Sequence, residues 1–278
     1  MQERTSATAT DIAQGASALL RDRRHAGVAV LTMNRPESRN SLSLAMIDEL
    51  HAAITELSGD RDVAAVVLAA NGPVFSAGHD LKELSAHRTD ADRGVAFFDD
   101  TMTRCSNMMQ AIVACPKPVI AAVQGTATAA GCQLVATCDL AVAAESARFC
   151  TPGVNIGLFC STPMVALSRN VARKRAMEML LLGEMISAAE AAEYGLVNRV
   201  VPEAEVLPAA LSLAAKIAAK SPATVAIGKA AFYAQAEMGL AQAYAYASKV
   251  MVENMMTRDA EEGISSFLEK RKPEWTGR

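Results

Sequence analysis

Residues 125–140 read GTATAAGCQLVATCDL. The run begins with Gly, Ala and Thr and continues as an apolar helix face. Small residues at such a place let another backbone or a ligand come close to the chain. A helix start also leaves several N–H groups without intrahelical partners. One polar amide, Gln133, sits just past the tight entrance. Immediately before the run, KPVIAAVQG is a continuous apolar stretch of strand length. Buried parallel strands have this pattern.

The same design occurs upstream. VAAVVLAA at 63–70 is a buried strand, and NGPVFSAGHDLKEL follows it as a Gly/Pro-bearing loop entering a helical turn. Asp80 is placed to cap that turn. Other strands fall in ALLRDRR, GVAVLTMNRP (with a turn at His25–Gly27), DLAVAAES, ARFCTP and GLVNRVV. A helix is expected over SLSLAMIDELHAAITELS, with Ser43 as its N-cap and Met46, Ile47, Leu50 and Ile54 on its apolar face. Others are expected near 93–112, 162–170, 173–182 and 187–194. From 203 onward the chain reads as nearly all helix: 203–220, 222–236, 239–257 and 259–271. Strand–helix alternation followed by helices defines an α/β core with a helical C-terminal region. The expected division is an N-terminal arm at 1–16, the core at 17–201 and the helical region at 202–278.

The 278 residues are 51% hydrophobic and 21% charged, enough for a sizeable core, with a net charge of −3. That balance argues against a general nucleic-acid partner. The six cysteines, at 105, 115, 132, 138, 150 and 160, form no C-x-x-C pair and have no histidine cluster beside them. No metal site is expected, and the thiols read as small buried hydrophobes in a reducing compartment. The first residues have no apolar core of a secretory signal. No apolar run reaches the roughly 18–20 residues of a membrane span. A soluble chain is expected, cytoplasmic, or in the mitochondrial matrix of a eukaryote.

Two strand-to-helix loops whose free N–H groups converge would polarise a carbonyl. The segments LTMNRPESRNSLS, GPVFSAGHDLKEL, KPVIAAVQG, AAGCQLVATCDLAVA, GEMISAAEAAEYGLVNRVVP and FLEKRKPEW, in this order, resemble the enoyl-CoA hydratase/isomerase superfamily, the crotonase family. The resemblance runs from about Ser17 to Trp275. It implies a spiral of ββα turns with C-terminal helices used in trimerisation, as a trimer or dimer of trimers. It implies an acyl-CoA thioester as ligand, with coenzyme A entering as part of the substrate and no separate cofactor. By position, the oxyanion donors are the N–H groups of His79 and Ala130. Ala130 stands where the family usually has glycine. Coenzyme A contacts fall on Ser38, Arg39, Ala77, Asp80 and Leu81, with Arg39 as the phosphate partner. Phe267 and Lys270 match positions that reach coenzyme A from a neighbouring subunit or the packed tail.

The family's mechanism does not carry over. Its hydratases use two glutamates to hold and activate a water, and these positions are Gln133 and Gly153 here. An amide can orient water but cannot transfer a proton, and glycine can do neither. Ordinary enoyl-CoA hydration is therefore expected to be weak or absent. Cys160 is expected as a packed thiol, His79 to act through its backbone, and Glu83 and Glu145 to be solvated. The alternatives are a non-catalytic acyl-CoA binding or regulatory protein, and a hydrolase, decarboxylase or isomerase with a rearranged site.

Overall fold

A computed structural model describes residues 18–24 and 27–277. The expected arm at 1–16, and the middle of the turn at His25–Gly27, lie outside the described residues. The chain opens with an antiparallel pair, β1 (Leu19–Arg24) and β2 (Val28–Met33). Helix α1 (Leu44–Gly59) follows, capped by the Ser43 hydroxyl, which accepts from Met46 N–H. Met46, Ile47, Leu50 and Ile54 are buried on one face, as their spacing requires.

Three strand pairs come next. β3 (Ala65–Ala70) and β4 (Val74–Ser76) precede the short α2 (Leu81–Ala86) and the long α3 (Val95–Ala114). β5 (Val119–Val123) and β6 (Thr126–Thr128) precede α4 (Ala130–Thr137). β7 (Leu140–Ala144) and β8 (Arg148–Cys150) precede α5 (Pro163–Asn170) and α6 (Arg173–Leu182). A two-residue β9 (Ile186–Ser187), α7 (Ala188–Glu193) and β10 (Arg199–Val201) close the core. The last quarter is α8 (Val206–Ala218), α9 (Pro222–Ala236), α10 (Leu240–Met255) and α11 (Arg258–Leu268).

Each pair contributes one strand to each of two sheets. The larger sheet has the order β1-β2-β3-β5-β7-β10, parallel except for β1. The smaller has the order β4-β6-β8-β9, parallel except for β9. The chain thus winds as a spiral, and every turn sets its two strands beside those of the turn before. β4, β6 and β9 have no counterpart in the sequence reading. At two or three residues they are too short to show a period. The smaller sheet nevertheless decides the site, because parallel neighbours end side by side. The loop leaving β4 at Ser76 and the loop leaving β6 at Thr128 are therefore adjacent.

The core fills the space between the larger sheet and its helices, with Leu31, Met33, Ile47, Leu68, Met108 and Ile112 almost fully enclosed. α8 packs on β3, β5 and β7, so the helical region begins as part of the core layer. Next to it, α9 is fastened by a buried ion pair. Lys229 Nζ lies 2.7 Å from Asp139 Oδ2 and also donates to the carbonyls of Ile112 and Lys117. Asp139 further accepts from Val119 N–H and the Tyr233 hydroxyl. Burial, with the Asp139 charge beside it, pushes the Tyr233 hydroxyl well above its ordinary value, so it stays a donor. Removing one partner of a buried, hydrogen-bonded pair leaves an uncompensated charge and costs about 3–5 kcal/mol. Lys229→Met is expected to lose stability in that range, read from urea unfolding followed by circular dichroism.

Candidate functional site

Two loops meet where β4 and β6 end. Three glycines fix how closely. At Gly125 a built Cβ would lie 2.1 Å from Pro73 O, and at Gly131 one would lie 2.3 Å from Ser76 O. At Gly78 it would lie 2.9 Å from Ala129 Cβ and 3.1 Å from Ala130 N. Gly78 thus adjoins the first amide of α4. Among the described residues, neither His79 N–H nor Ala130 N–H has a hydrogen-bond partner. Each sits next to a bonded amide. Leu42 N–H donates to Gly78 O, Asp80 N–H to Leu42 O and Ala129 N–H to Cys150 O. Two unpaired donors thus lie on two loops that these glycines allow to pack closely.

Ala129, immediately before α4, has φ 50° and ψ −119°. A side chain is strained in this region, at a cost of order 1–3 kcal/mol, and the strain persists only where the surroundings enforce it. Ala129→Gly is expected to raise stability by about 1 kcal/mol, less than the full strain because glycine also gains freedom in the unfolded chain. Thermal unfolding by scanning calorimetry checks the sign.

The segment 35–43 supports the first loop. Arg39 and Asn40 both have positive φ, 55° and 48°. Asn40 is fully buried, and its side chain donates to Asn71 O and Val74 O while accepting from Arg35 N–H. Its carbonyl accepts from Ser76 Oγ. The sequence reading passed over Asn40, although asparagine tolerates a left-handed backbone better than most residues, and that preference was the available signal. The turn exposes the Arg39 side chain and directs its carbonyl to Ala77 N–H at 3.0 Å. Ser38 Oγ donates to Arg35 O. Asp80 caps α2, accepting from the N–H groups of Lys82 and Glu83, and accepts from Ser41 Oγ at 3.1 Å. Burial opposes its charge, but those hydrogen bonds prevail and hold its carboxyl below the ordinary value. Leu81 is exposed at the start of α2. Ser38, Arg39, Ala77, His79, Asp80, Leu81 and Ala130 are therefore gathered into one region. Phe267 and Lys270 are exposed near the end of α11, which packs on α9 and α10.

Glu83 departs from expectation. It is partly buried, and its Oε2 accepts from Leu44 N–H at 2.9 Å, satisfying one of the free donors that open α1. Glu145 is exposed, as expected.

Gln133 is buried one helical turn beyond Ala130, and its Oε1 is enclosed with no hydrogen-bond partner. His79 Nε2 is likewise enclosed and unpartnered. Burial lowers the imidazole's pKa from its ordinary value, so the ring is neutral at neutral pH. Gly153 is buried in the turn after β8. A Cβ there would lie 2.8 Å from Leu158 O and 2.9 Å from Cys160 Sγ. The loop after Gly153 folds back, with Leu158 N–H donating to Gly153 O at 2.9 Å. Cys160 is buried, and desolvation raises its thiol pKa despite a hydrogen bond from Gly153 N–H. Cys132 and Cys150 are buried too, and burial keeps both protonated, Cys150 pushed up to about 11. No cluster of three metal-ligating side chains occurs among the described residues, and no single described helix is long and apolar enough to cross a membrane.

A family profile described as "Enoyl-CoA hydratase/isomerase" matches residues 23–278. The chain belongs to the enoyl-CoA hydratase/isomerase family, and its spiral of paired strands is the crotonase fold. Among individual relatives, it is 48% identical over 250 residues to the human "Enoyl-CoA hydratase domain-containing protein 3, mitochondrial", covering 90% of this chain and 81% of the relative. The crystal structure of that human protein superposes with a TM-score of 0.87, at 47% identity, over 93% of this chain and all of the other. A crystal structure of an enoyl-CoA hydratase from Mycobacterium smegmatis superposes at 0.89, with 52% identity, over 94% of this chain and 99% of that one.

Proposed function

We propose that the protein binds an acyl-CoA thioester and polarises its carbonyl between the N–H groups of His79 and Ala130. The observation that carries this reading is the pair of unpartnered amides on two touching loops, in a chain of this family. Ser38, Arg39, Ala77, Asp80 and Leu81 surround the coenzyme A. The exposed Arg39 guanidinium suits its phosphates, as a charged fork that binds phosphate oxygens in pairs. Coenzyme A arrives with the substrate, so the protein needs no resident cofactor.

Neither Gln133 nor Gly153 can supply the acid and base of hydration. The family name therefore describes the scaffold better than the reaction. The loop folded over Gly153 favours a second reading, an acyl-CoA binding protein without turnover. The two readings share one binding site and differ in chemistry.

Self-association belongs to the same proposal. No residue of α9 or α10 is buried as a whole, although the Lys229 side chain is enclosed, and Phe232, Tyr244, Met251, Val252, Met256 and Phe267 are exposed. A trimer, or a pair of trimers, would cover this surface and bring Phe267 and Lys270 to a neighbour's ligand. The mitochondrial relatives support the matrix as the compartment in a eukaryote.

Titration calorimetry tests the binding. Butyryl-CoA is expected to bind at least about tenfold tighter than free coenzyme A, a difference of about 1.4 kcal/mol from the carbonyl's two hydrogen bonds and the buried acyl chain. Arg39→Ala is expected to weaken both ligands about tenfold or more, the scale of a lost charged hydrogen bond. Equal affinities for the two ligands would refute the thioester reading.

A further inference from the structure

Each of the two free amides is accompanied by a side chain with an enclosed polar atom that lacks a partner. His79 supplies one of the amides, and its own Nε2 is enclosed and unbonded. Gln133 stands three residues beyond Ala130, on the same side of α4, and its Oε1 is enclosed and unbonded. Burying such atoms without hydrogen bonds costs about 1–3 kcal/mol each. Unpaired atoms of this kind in a native fold call for an explanation, and a bound group is one.

The two side chains differ in what they can do. A carboxamide cannot transfer a proton; a neutral imidazole can accept one. The other titratable groups of these loops are occupied or inert. Asp80 caps α2 and holds Ser41, Glu83 caps α1, and desolvation keeps the Cys160 thiol protonated. With both family carboxylates absent, His79 alone among them combines a free nitrogen with a residue position in the polarising centre.

We propose that the His79 imidazole is the proton carrier of this site, removing and returning a hydrogen on the carbon next to the bound thioester carbonyl. The proposal rests on the thioester reading above. In the forward step the C–H bond breaks and its proton passes to Nε2. The electron pair forms a carbon–carbon double bond, and the negative charge moves to the carbonyl oxygen between the His79 and Ala130 amides. In the return step the imidazolium gives back a proton and the thioester re-forms. No oxidant or second reactant is consumed. Gln133 is left to orient the ligand or a water through its free amide.

The test uses the full-length protein with butyryl-CoA in deuterated buffer, following deuterium entry at the α-carbon by mass spectrometry and binding by calorimetry. The wild type is expected to bind and to exchange. His79→Asn keeps the backbone donor. It is expected to retain binding while exchange falls about 10²-fold or more, the usual contribution of a positioned acid–base group. In His79→Ala, added imidazole is expected to restore part of the exchange. Binding without exchange by the wild type overturns the proposal, as does His79→Asn exchanging at the wild-type rate. Absence of wild-type exchange overturns the proposal even if both variants misfold. Failure to prefer butyryl-CoA over free coenzyme A would instead sink the thioester reading beneath it.

Discussion

Crotonyl-CoA mixed with the pure protein is expected to hydrate about 10⁴-fold or more slowly than with a two-glutamate relative. A positioned acid or base contributes about 10²–10⁴ in rate, and on the proposed reading Gln133 and Gly153 supply neither. The assay is loss of enoyl absorbance. Turnover at hundreds per second, within the usual enzyme range of about 1–10³ per second, would show that Gln133 and Gly153 do not disable the site. The two positions do not respond alike to restoration. Gln133→Glu is nearly isosteric and places a carboxylate where an unpartnered oxygen already lies, so a gain of about 10²-fold is expected. Restoring both glutamates is the intuitive experiment, but a Cβ at residue 153 runs into Leu158 O and Cys160 Sγ. Gly153→Glu is therefore expected to destabilise the protein by about 1–3 kcal/mol, as overpacking does, and to add no activity.

Gly131→Ala is expected to cost about 3 kcal/mol or more, the upper end of overpacking, because the new methyl meets Ser76 O at 2.3 Å and Ser76 Cβ at 2.8 Å. The blocking oxygen is backbone in β4 and cannot rotate away. Either β4 or the start of α4 has to move, and the two free amides separate with it. Urea unfolding measures the loss, and butyryl-CoA binding is expected to weaken in parallel. Gly228→Ala is the contrast. Its Cβ meets nothing within 4 Å in the middle of α9, and a gain of about 0.5–1 kcal/mol is expected from helix propensity alone. Equal losses at the two positions would mean that close approach of the loops does not set the cost.

The contrast also explains what the sequence could convey. The long apolar strands and amphipathic helices were legible because burial repeats at a fixed period along them, as in VAAVVLAA or at Met46, Ile47, Leu50 and Ile54. The second sheet was not, because β4 and β6 span three residues each and owe their existence to neighbours dozens of residues away. At the site, Asp80 could be read as a cap because its partners are local. Glu83 could not, because it caps a helix that begins 39 positions earlier. Asn40 was hidden for the same reason, holding Asn71 and Val74 across the fold. Gln133 and Gly153 were plain in the letters, but the obstruction at Gly153 required coordinates.

That obstruction bears on the order in which such a protein can change. A glutamate-to-glycine change at position 153 takes one codon. Once glycine is present and the following loop has settled onto it, regaining the acid takes at least two coordinated events, since the loop must withdraw before a side chain can enter. Each event alone brings no hydratase activity for selection to favour. The contact between Gly153 and Cys160 is in this sense a ratchet. It makes a change from a side chain to glycine at this position easy and the reverse change difficult.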